Sequence, residues 1–400
     1  MSQRKPRATE PIVLAAPVRT PIGKFGGTLS VLSAADLGAA AASACLERAG
    51  LDPAVVDQTL FGHGRQAGGG PNTARQVSDR AGVPVEKPAF TINQACGSGL
   101  QSVLSAARHL LLGEAEVVLA GGTESMSNTP YMLPRARWGY RLGHAELTDG
   151  MYRDGFNDPL SGLAMGETAE ELAEDYGISR ETSDEWALTS QTRCQVARES
   201  GRFEQEVVSV TVPGRRGDVV VDADEHPRDG VTREQLAKLP SVFRDRGRVT
   251  PGNASGITDG AAALLVATEA AAERHDLPVV GRLVDWQVVG VEPRIMGIGP
   301  VPATQALLER NGLDFSEIDQ VELNEAFACQ VVACMRDLPF DEERVNPDGG
   351  AIALGHPIGA TGARILVTLL HGLARREGRY GVATLCVSGG LGLSALVERI

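Results

Sequence analysis

Short, largely apolar runs punctuate this chain and read as buried strands. They fall at Ile12–Ala16, at Ala89–Ile92 behind Pro88, at Val117–Gly122, at Ala261–Ala267 and at Val382–Gly390, and a further strand is read at Gln320–Leu323. Between them the apolar spacing changes to that of helices. Leu100, Val103, Leu104, Ala107 and Leu111 share one face of a helix starting near Ser98. Helices are also predicted over Ala34–Gly50, Glu167–Tyr176 and Arg180–Ser200, the last ending at Gly201 as a C-terminal cap would. Arg215–Asp218 reads as a turn before a strand at Val219–Asp222.

The pattern occurs twice. Leu46-Glu47-Arg48-Ala49-Gly50-Leu51-Asp52 is echoed by Leu308-Glu309-Arg310-Asn311-Gly312-Leu313-Asp314, and Asp57-Gln58 by Asp319-Gln320 at the same offset. A strand and turn around Asn93–Gly99 resembles Val345–Gly362, and each leads through a helix to an apolar strand. Two copies of one α/β unit account for this order. The stretch between them is richer in aromatic residues and arginine (Tyr131, Trp138, Tyr140, Tyr152) and carries its own helices, so it reads as an inserted subdomain. The division expected is 1–126 with 258–279 for the first copy, 127–257 for the insertion and 280–400 for the second.

Composition narrows the function classes. The 400 residues are ordinary for a globular enzyme of two or three domains. A net charge of −13 argues against a nucleic-acid partner, so an anionic ligand needs a local basic pocket. No apolar run approaches the roughly 18 residues that span a membrane. The basic start, Met1–Arg7, lacks an apolar core and reads as a disordered tail rather than a secretory signal. Six cysteines without a metal-like spacing suit a reducing, cytoplasmic setting.

Cys96 lies in Asn93-Gln94-Ala95-Cys96-Gly97-Ser98-Gly99, between a strand and a helix N-terminus. Unpaired N–H groups there favour a thiolate nucleophile, although a small buried side chain is the other reading. Three further stretches carry polar groups: Asn324-Glu325-Ala326-Phe327, Gly355-His356-Pro357-Ile358-Gly359, and Cys386-Val387-Ser388-Gly389-Gly390. Singly, Asn324 and Glu325 can cap a helix, and Cys386 can fill a core as Cys45, Cys194, Cys329 and Cys334 are expected to do.

Taken together and in this order, the four stretches resemble the thiolases, most strongly the biosynthetic-type acetyl-CoA acetyltransferases. The likeness spans nearly the whole chain, including Gly252–Gly256 and Arg294–Pro300. It implies an α/β fold, a duplicated βαβαβαββ core in five layers with an inserted loop subdomain. It implies the reversible condensation of two acetyl-CoA to acetoacetyl-CoA and CoA, or thiolysis of a 3-ketoacyl-CoA, within fatty-acid metabolism. Cys96 then carries the acyl group, His356 is its base, and Cys386 moves the proton at carbon. Asn324 holds a water beside His356 in one oxyanion site, and the N–H groups of Cys96 and Ser388 form another. Ser255, Arg228, Phe243, Met165, Met296 and Phe327 match positions that contact substrate or coenzyme A. No metal or cofactor is implied; coenzyme A is substrate and product. The inserted loop resembles one that builds homotetramers from dimers.

Two departures stand out: Ser388 replaces a usual glycine, and Ala164 a common histidine. A broader-chain 3-ketoacyl-CoA thiolase is the nearest alternative. A ketoacyl synthase shares the fold, but Cys386 speaks against it. A non-catalytic acyl-CoA-binding homologue would lack one of Cys96, Asn324, His356 or Cys386, and all four are present.

Overall fold

The computed structural model describes residues 11–214 and 217–400. The basic start Met1–Arg7 and the first two residues of the turn expected at Arg215–Asp218 lie outside them. Nine strands run through both copies: β1 (Ile12–Arg19), β2 (Gln58–Gly62), β3 (Ala89–Ile92), β4 (Val117–Ser125), β5 (Thr258–Thr268), β6 (Val279–Gly290), β7 (Ile318–Leu323), β8 (Tyr380–Val387) and β9 (Leu391–Arg399). With the short strand Gly23–Lys24 on β5, they form a ten-stranded sheet in the order β7-β8-β9-β6-β1-β5-β4-β2-β3.

The sheet has two halves that meet where β1 pairs antiparallel with β6. In the first, β2 is parallel to β3 and β4, while β5 is antiparallel to β4 and β1. In the second, β7 is parallel to β8 and β9 is antiparallel to β8 and β6. A parallel bridge from Val321 to Val345 stands where β3 would.

The sequence echo has a physical counterpart. Helices α1 (Ala34–Ala49) and α6 (Pro300–Asn311) both end on a left-handed glycine, Gly50 and Gly312, as C-terminal caps require. Asp57 then accepts the N–H groups of Glu116 and Val117, and Asp319 those of Arg379 and Tyr380. Each aspartate thus ties the start of its first parallel strand to the start of the next.

Five layers follow from where the apolar faces go. Helices α3 (Ser98–Leu112) and α8 (Ile358–Arg376) lie side by side between the two halves, sharing one core with Leu60, Val118 and Leu264 on one side and Leu385, Leu393 and Val397 on the other. Helix α1 and α2 (Thr73–Arg80) cover the outer face of the first half; α6 and α7 (Ala328–Asp337) cover that of the second. The central helices approach closely because they meet through glycine. A methyl group at Gly99 would sit 2.7 Å from the Ala363 nitrogen, and one at Gly362 2.3 Å from that of Leu100.

The insertion carries α4 (Met165–Asp175), α5 (Arg180–Glu199) and a hairpin of Val210–Val212 with Val219–Val221. Leu172 of α4 packs with Met296, Phe327 and Cys329, and Trp186 of α5 with Val331 of α7, so these two helices lie on the second copy, whereas Val210, Val212 and Val221 of the hairpin join the outer core of the first. Asp259, at the start of β5, accepts the backbone N–H and hydroxyl of Ser127, stapling the two ends of the excursion together. Among the described residues no helix is long and apolar enough to cross a membrane.

Candidate active site

Cys96 ends up where the strand–turn–helix reading puts it. The turn is closed by the Ser98 hydroxyl, which accepts the Gln94 N–H at 2.8 Å and donates to the Ala95 carbonyl. Ala95 takes the left-handed conformation (φ 45°), and Asn93 holds the bend by accepting the Ala95 N–H. The expectation of a readily formed thiolate needs correction. Burial pushes the Cys96 thiol up from its ordinary pKa, opposed by the Arg65 charge and by the N–H groups of Ser388 and Cys96, which approach the sulfur. The helix terminus does not outweigh the lost water, so this thiol requires a base.

His356 offers one. It follows the single turn Ala351–Leu354, is 6% exposed, and its own N–H is held by the Gly256 carbonyl. Its Nδ1 lies 2.6 Å from the Thr361 hydroxyl, which donates to the Pro357 carbonyl at 3.0 Å. A hydroxyl has one proton, so Thr361 accepts from His356, assigning the proton to Nδ1 and the lone pair to Nε2. Nε2 has no protein partner among the described residues. Burial, with the charges of Arg364 and Arg65, lowers the imidazole pKa to about 3, so the ring is neutral near pH 7.

Cys386, near the end of β8, is buried, and its pKa is raised well above the ordinary value by burial and by the neighbouring Cys96 sulfur. It is a protonated thiol at neutral pH. Ser388 begins the turn before β9; positive φ falls on Gly389 and Gly390 but not on Ser388, so a side chain is tolerated there. Asn324 is 1% exposed, and neither polar atom of its amide has a protein partner among the described residues. The alternative of a helix cap does not hold, because α7 starts at Ala328 with no side-chain cap. Glu325 does other work. Its carboxylate accepts from Trp186 Nε1, the Ser190 hydroxyl, the Asn346 amide and the Ile352 N–H, tying α5 to the loop ahead of His356.

One cavity of about 270 Å³ collects nine of the predicted residues: Cys96, Met165, Phe243, Ser255, Met296, Phe327, His356, Cys386 and Ser388. Ser255 is positioned by its N–H to the Ala326 carbonyl. Asn324 is not part of that lining. Arg228 is exposed and lines a neighbouring cavity with Gln191 and His226; the two cavities share Pro251. Ala164 precedes α4 and does not itself line the cavity, whereas Met165 beside it does. The other four cysteines sit in the core; burial raises Cys45, Cys329 and Cys334 to about 12.

Sequence reasoning missed three contributors. Thr361, five residues after His356, fixes its tautomer. Arg65 reaches the same cavity. Glu124, a charge at the end of the apolar strand β4, accepts the N–H groups of Gly64, Arg65 and Gly359 and lies 3.2 Å from His63 Nε2. It joins the loop after β2 to the His356 loop. A carboxylate closing an apolar strand was the signal available.

The geometry therefore sets two cysteines of different exposure and a neutral histidine around one chamber. Residues 12–270 match the model of the thiolase N-terminal domain, and residues 277–399 that of the thiolase C-terminal domain. The chain belongs to the thiolase family. An acetyl-CoA acetyltransferase of Pseudomonas aeruginosa is 48% identical over 389 residues, covering 97% of this chain and 99% of that thiolase. The structure of the Bacillus anthracis acetyl-CoA acetyltransferase superimposes with a TM-score of 0.96 at 44% identity, over 98% of this chain and 100% of that one. Human mitochondrial 3-ketoacyl-CoA thiolase in complex with CoA gives 0.94 at 42% identity, over 98% of each chain. The duplicated thiolase core read from the sequence is the fold observed.

Proposed function

We propose that this chain is an acetyl-CoA acetyltransferase, interconverting two acetyl-CoA with acetoacetyl-CoA and CoA. The observation that carries this is the pairing of Cys96, approached by the N–H groups of Ser388 and Cys96, with a neutral His356 and a protonated Cys386 around one chamber.

In the cleavage direction, His356 Nε2 takes the Cys96 proton and the thiolate attacks the ketone carbon of acetoacetyl-CoA. The C–C bond breaks, and the leaving acetyl-CoA enolate receives the Cys386 proton. Coenzyme A then gives its thiol proton to the Cys386 thiolate and attacks the Cys96 thioester. The second acetyl-CoA leaves, and His356 returns its proton to Cys96. The Ser388 and Cys96 N–H groups serve the oxyanion at the thioester carbon. The free amide of Asn324 supports its reading as holder of a water at the other oxyanion. Every step uses thiol, imidazole and amide groups of the chain, so the reading calls for no metal or cofactor. Ser255, Phe243, Met165, Met296 and Phe327 would line the pantetheine path, with Arg228 toward the nucleotide. The broader-chain 3-ketoacyl-CoA reaction is the alternative at the same residues.

The same reading makes the chain a cytoplasmic homotetramer. Tyr131, Leu133, Trp138, Leu142 and Leu147 stand exposed on the inserted loop, Trp138 at 86% and Leu142 at 96%, an apolar surface suited to a second copy. All six cysteines are unpaired, in keeping with a reducing compartment.

The test of the activity is CoA-dependent loss of the enolate absorbance of magnesium-complexed acetoacetyl-CoA, with peptide mass analysis after brief exposure to acetyl-CoA. Turnover and acetylation at Cys96 support the reading. No turnover, or a label on another residue, overturns it.

A further inference from the structure

Arg65 is the anomaly of the chamber. It is 8% exposed, yet among the described residues its Nε has no hydrogen-bond partner and no carboxylate forms an ion pair with it. Two other buried guanidinium groups each have a carboxylate: Arg19 is matched by Glu206 and Asp224, and Arg364, whose Nε and Nη1 make no hydrogen bond among the described residues, lies 3.8 Å from Glu322. Glu124, which feels the charge of Arg65, has both oxygens engaged: Oε1 by the Arg65 N–H and His63, Oε2 by the Gly64 and Gly359 N–H groups. The guanidinium packs flat under the loop of Tyr152–Phe156, so close that a methyl group at Gly155 would lie 2.4 Å from its Nε. Gly155 leaves room for the head group there. Around it the chamber is apolar: Met126, Phe156 and Ile358 join Cys96 and Arg65 in the lining. Arg65 also borders a polar cavity with Asn93, Thr129 and Asp154, but no carboxylate of the described residues pairs with it there either. A buried cation that reaches an apolar chamber without a carboxylate partner is costly unless something in the working complex pairs with it.

An acetyl group does not supply that partner, and coenzyme A's phosphates belong at the Arg228 end. We propose that Arg65 recognises the far end of the acyl group, so that the enzyme also cleaves 3-ketoacyl-CoA esters whose acyl chain ends in a carboxylate, in preference to neutral chains of the same length. This rests on the thiolase reading above and adds a substrate class to it. A guanidinium meets a carboxylate through two parallel N–H···O bonds. A methyl terminus offers none and leaves the buried N–H groups unpaired. Sites of this kind discriminate against the analogue that lacks the polar group more strongly than apolar pockets discriminate by size. The reaction keeps its balance: 3-oxoadipyl-CoA and CoA give succinyl-CoA and acetyl-CoA, with the succinyl group carried as a thioester on Cys96.

The experiment compares kcat/KM for 3-oxoadipyl-CoA and 3-ketohexanoyl-CoA in the full chain, in Arg65→Leu and in Arg65→Lys. The ratio should favour the carboxylate by about tenfold or more, collapse to one or below in Arg65→Leu, and recover in part in Arg65→Lys. A ratio that does not change in Arg65→Leu, with both rates falling together, overturns the proposal and leaves Arg65 as support for the Cys96 thiolate alone. Binding gives an arm independent of turnover. In Cys96→Ala, calorimetry should find succinyl-CoA tighter than butyryl-CoA, and the preference should vanish when Arg65→Leu is added; equal affinities overturn it. A chain that turns over neither acetoacetyl-CoA nor these esters fails the thiolase reading, and the binding arm then decides the arginine by itself.

Discussion

The Thr361 hydroxyl accepts the Nδ1 proton of His356 at 2.6 Å while donating its own to Pro357, which leaves Nε2 as the basic ring nitrogen. A contact five residues along the chain thus decides which end of the imidazole can take a proton. The assignment uses no more than the proton count of one hydroxyl.

Thr361→Val should therefore cut kcat by about tenfold to a hundredfold, since the wrong tautomer becomes accessible. Its KM for acetoacetyl-CoA should change little, and Thr361→Ser should restore most of the rate. Steady-state kinetics of the three proteins check this. A Val variant with wild-type kcat would remove Thr361 from the mechanism.

The depressed pKa of His356, about 3, has two consequences of opposite look. The base stays unprotonated well below pH 6.5, so kcat/KM should show no acid limb near that value. Acetoacetyl-pantetheine, which carries no titrating phosphate, is the substrate for this profile between pH 5 and 7.5. Stability behaves otherwise. The unfolded chain takes up a proton at this histidine below its ordinary pKa of about 6.5, and the folded one does not until about 3. This group's contribution to stability is thus lost as pH falls through that window. An activity profile breaking near 6.5 would show that burial does not hold the ring neutral.

On the proposed reading, Cys386 serves proton transfer at carbon rather than acyl transfer. Cys386→Ala should still become acetylated at Cys96 from acetyl-CoA, yet lose exchange of acetyl α-protons with deuterated water by a hundredfold or more, roughly the share of one general acid–base group. Mass analysis reads the first and proton NMR the second. Exchange at the wild-type rate would reassign the step.

Glu325 stands within a motif of the site but acts as a structural hub. Replacing it by alanine strands four buried donors, from Trp186, Ser190, Asn346 and Ile352, and should cost about 3 kcal/mol. Urea denaturation measures this. A loss below about 0.5 kcal/mol, the range of ordinary surface changes, would mean that these donors find other partners.

Much of the fold was legible because it follows from local preferences. Apolar runs of four to eight residues give buried strands, and Gly50 and Gly312 end equivalent helices because glycine tolerates the left-handed conformation. Strand ends were less legible. β4 runs on to Ser125 and β5 begins at Thr258, three residues beyond each apolar run, because Glu124 and Asp259 find buried partners that no local pattern announces.

The sequence by itself marked the candidate groups: Cys96, Asn324 and His356 in loops and turns next to strands and helices, and Cys386 near the end of strand β8. It also determined that the unit is doubled, since a repeated order of residues repeats its local structure. Tertiary structure decided which groups meet and in what charge state. Cys96 and His356 are 260 positions apart, and they share a chamber because α3 and α8 cross through glycine. The thiol that a helix terminus was expected to acidify is instead raised, and the histidine is neutral. Arg65 reaches the chamber with its Nε unpartnered among the described residues. All three depend on removal from water and on charges brought from distant segments, and desolvation is a property of the packed molecule that local sequence cannot express.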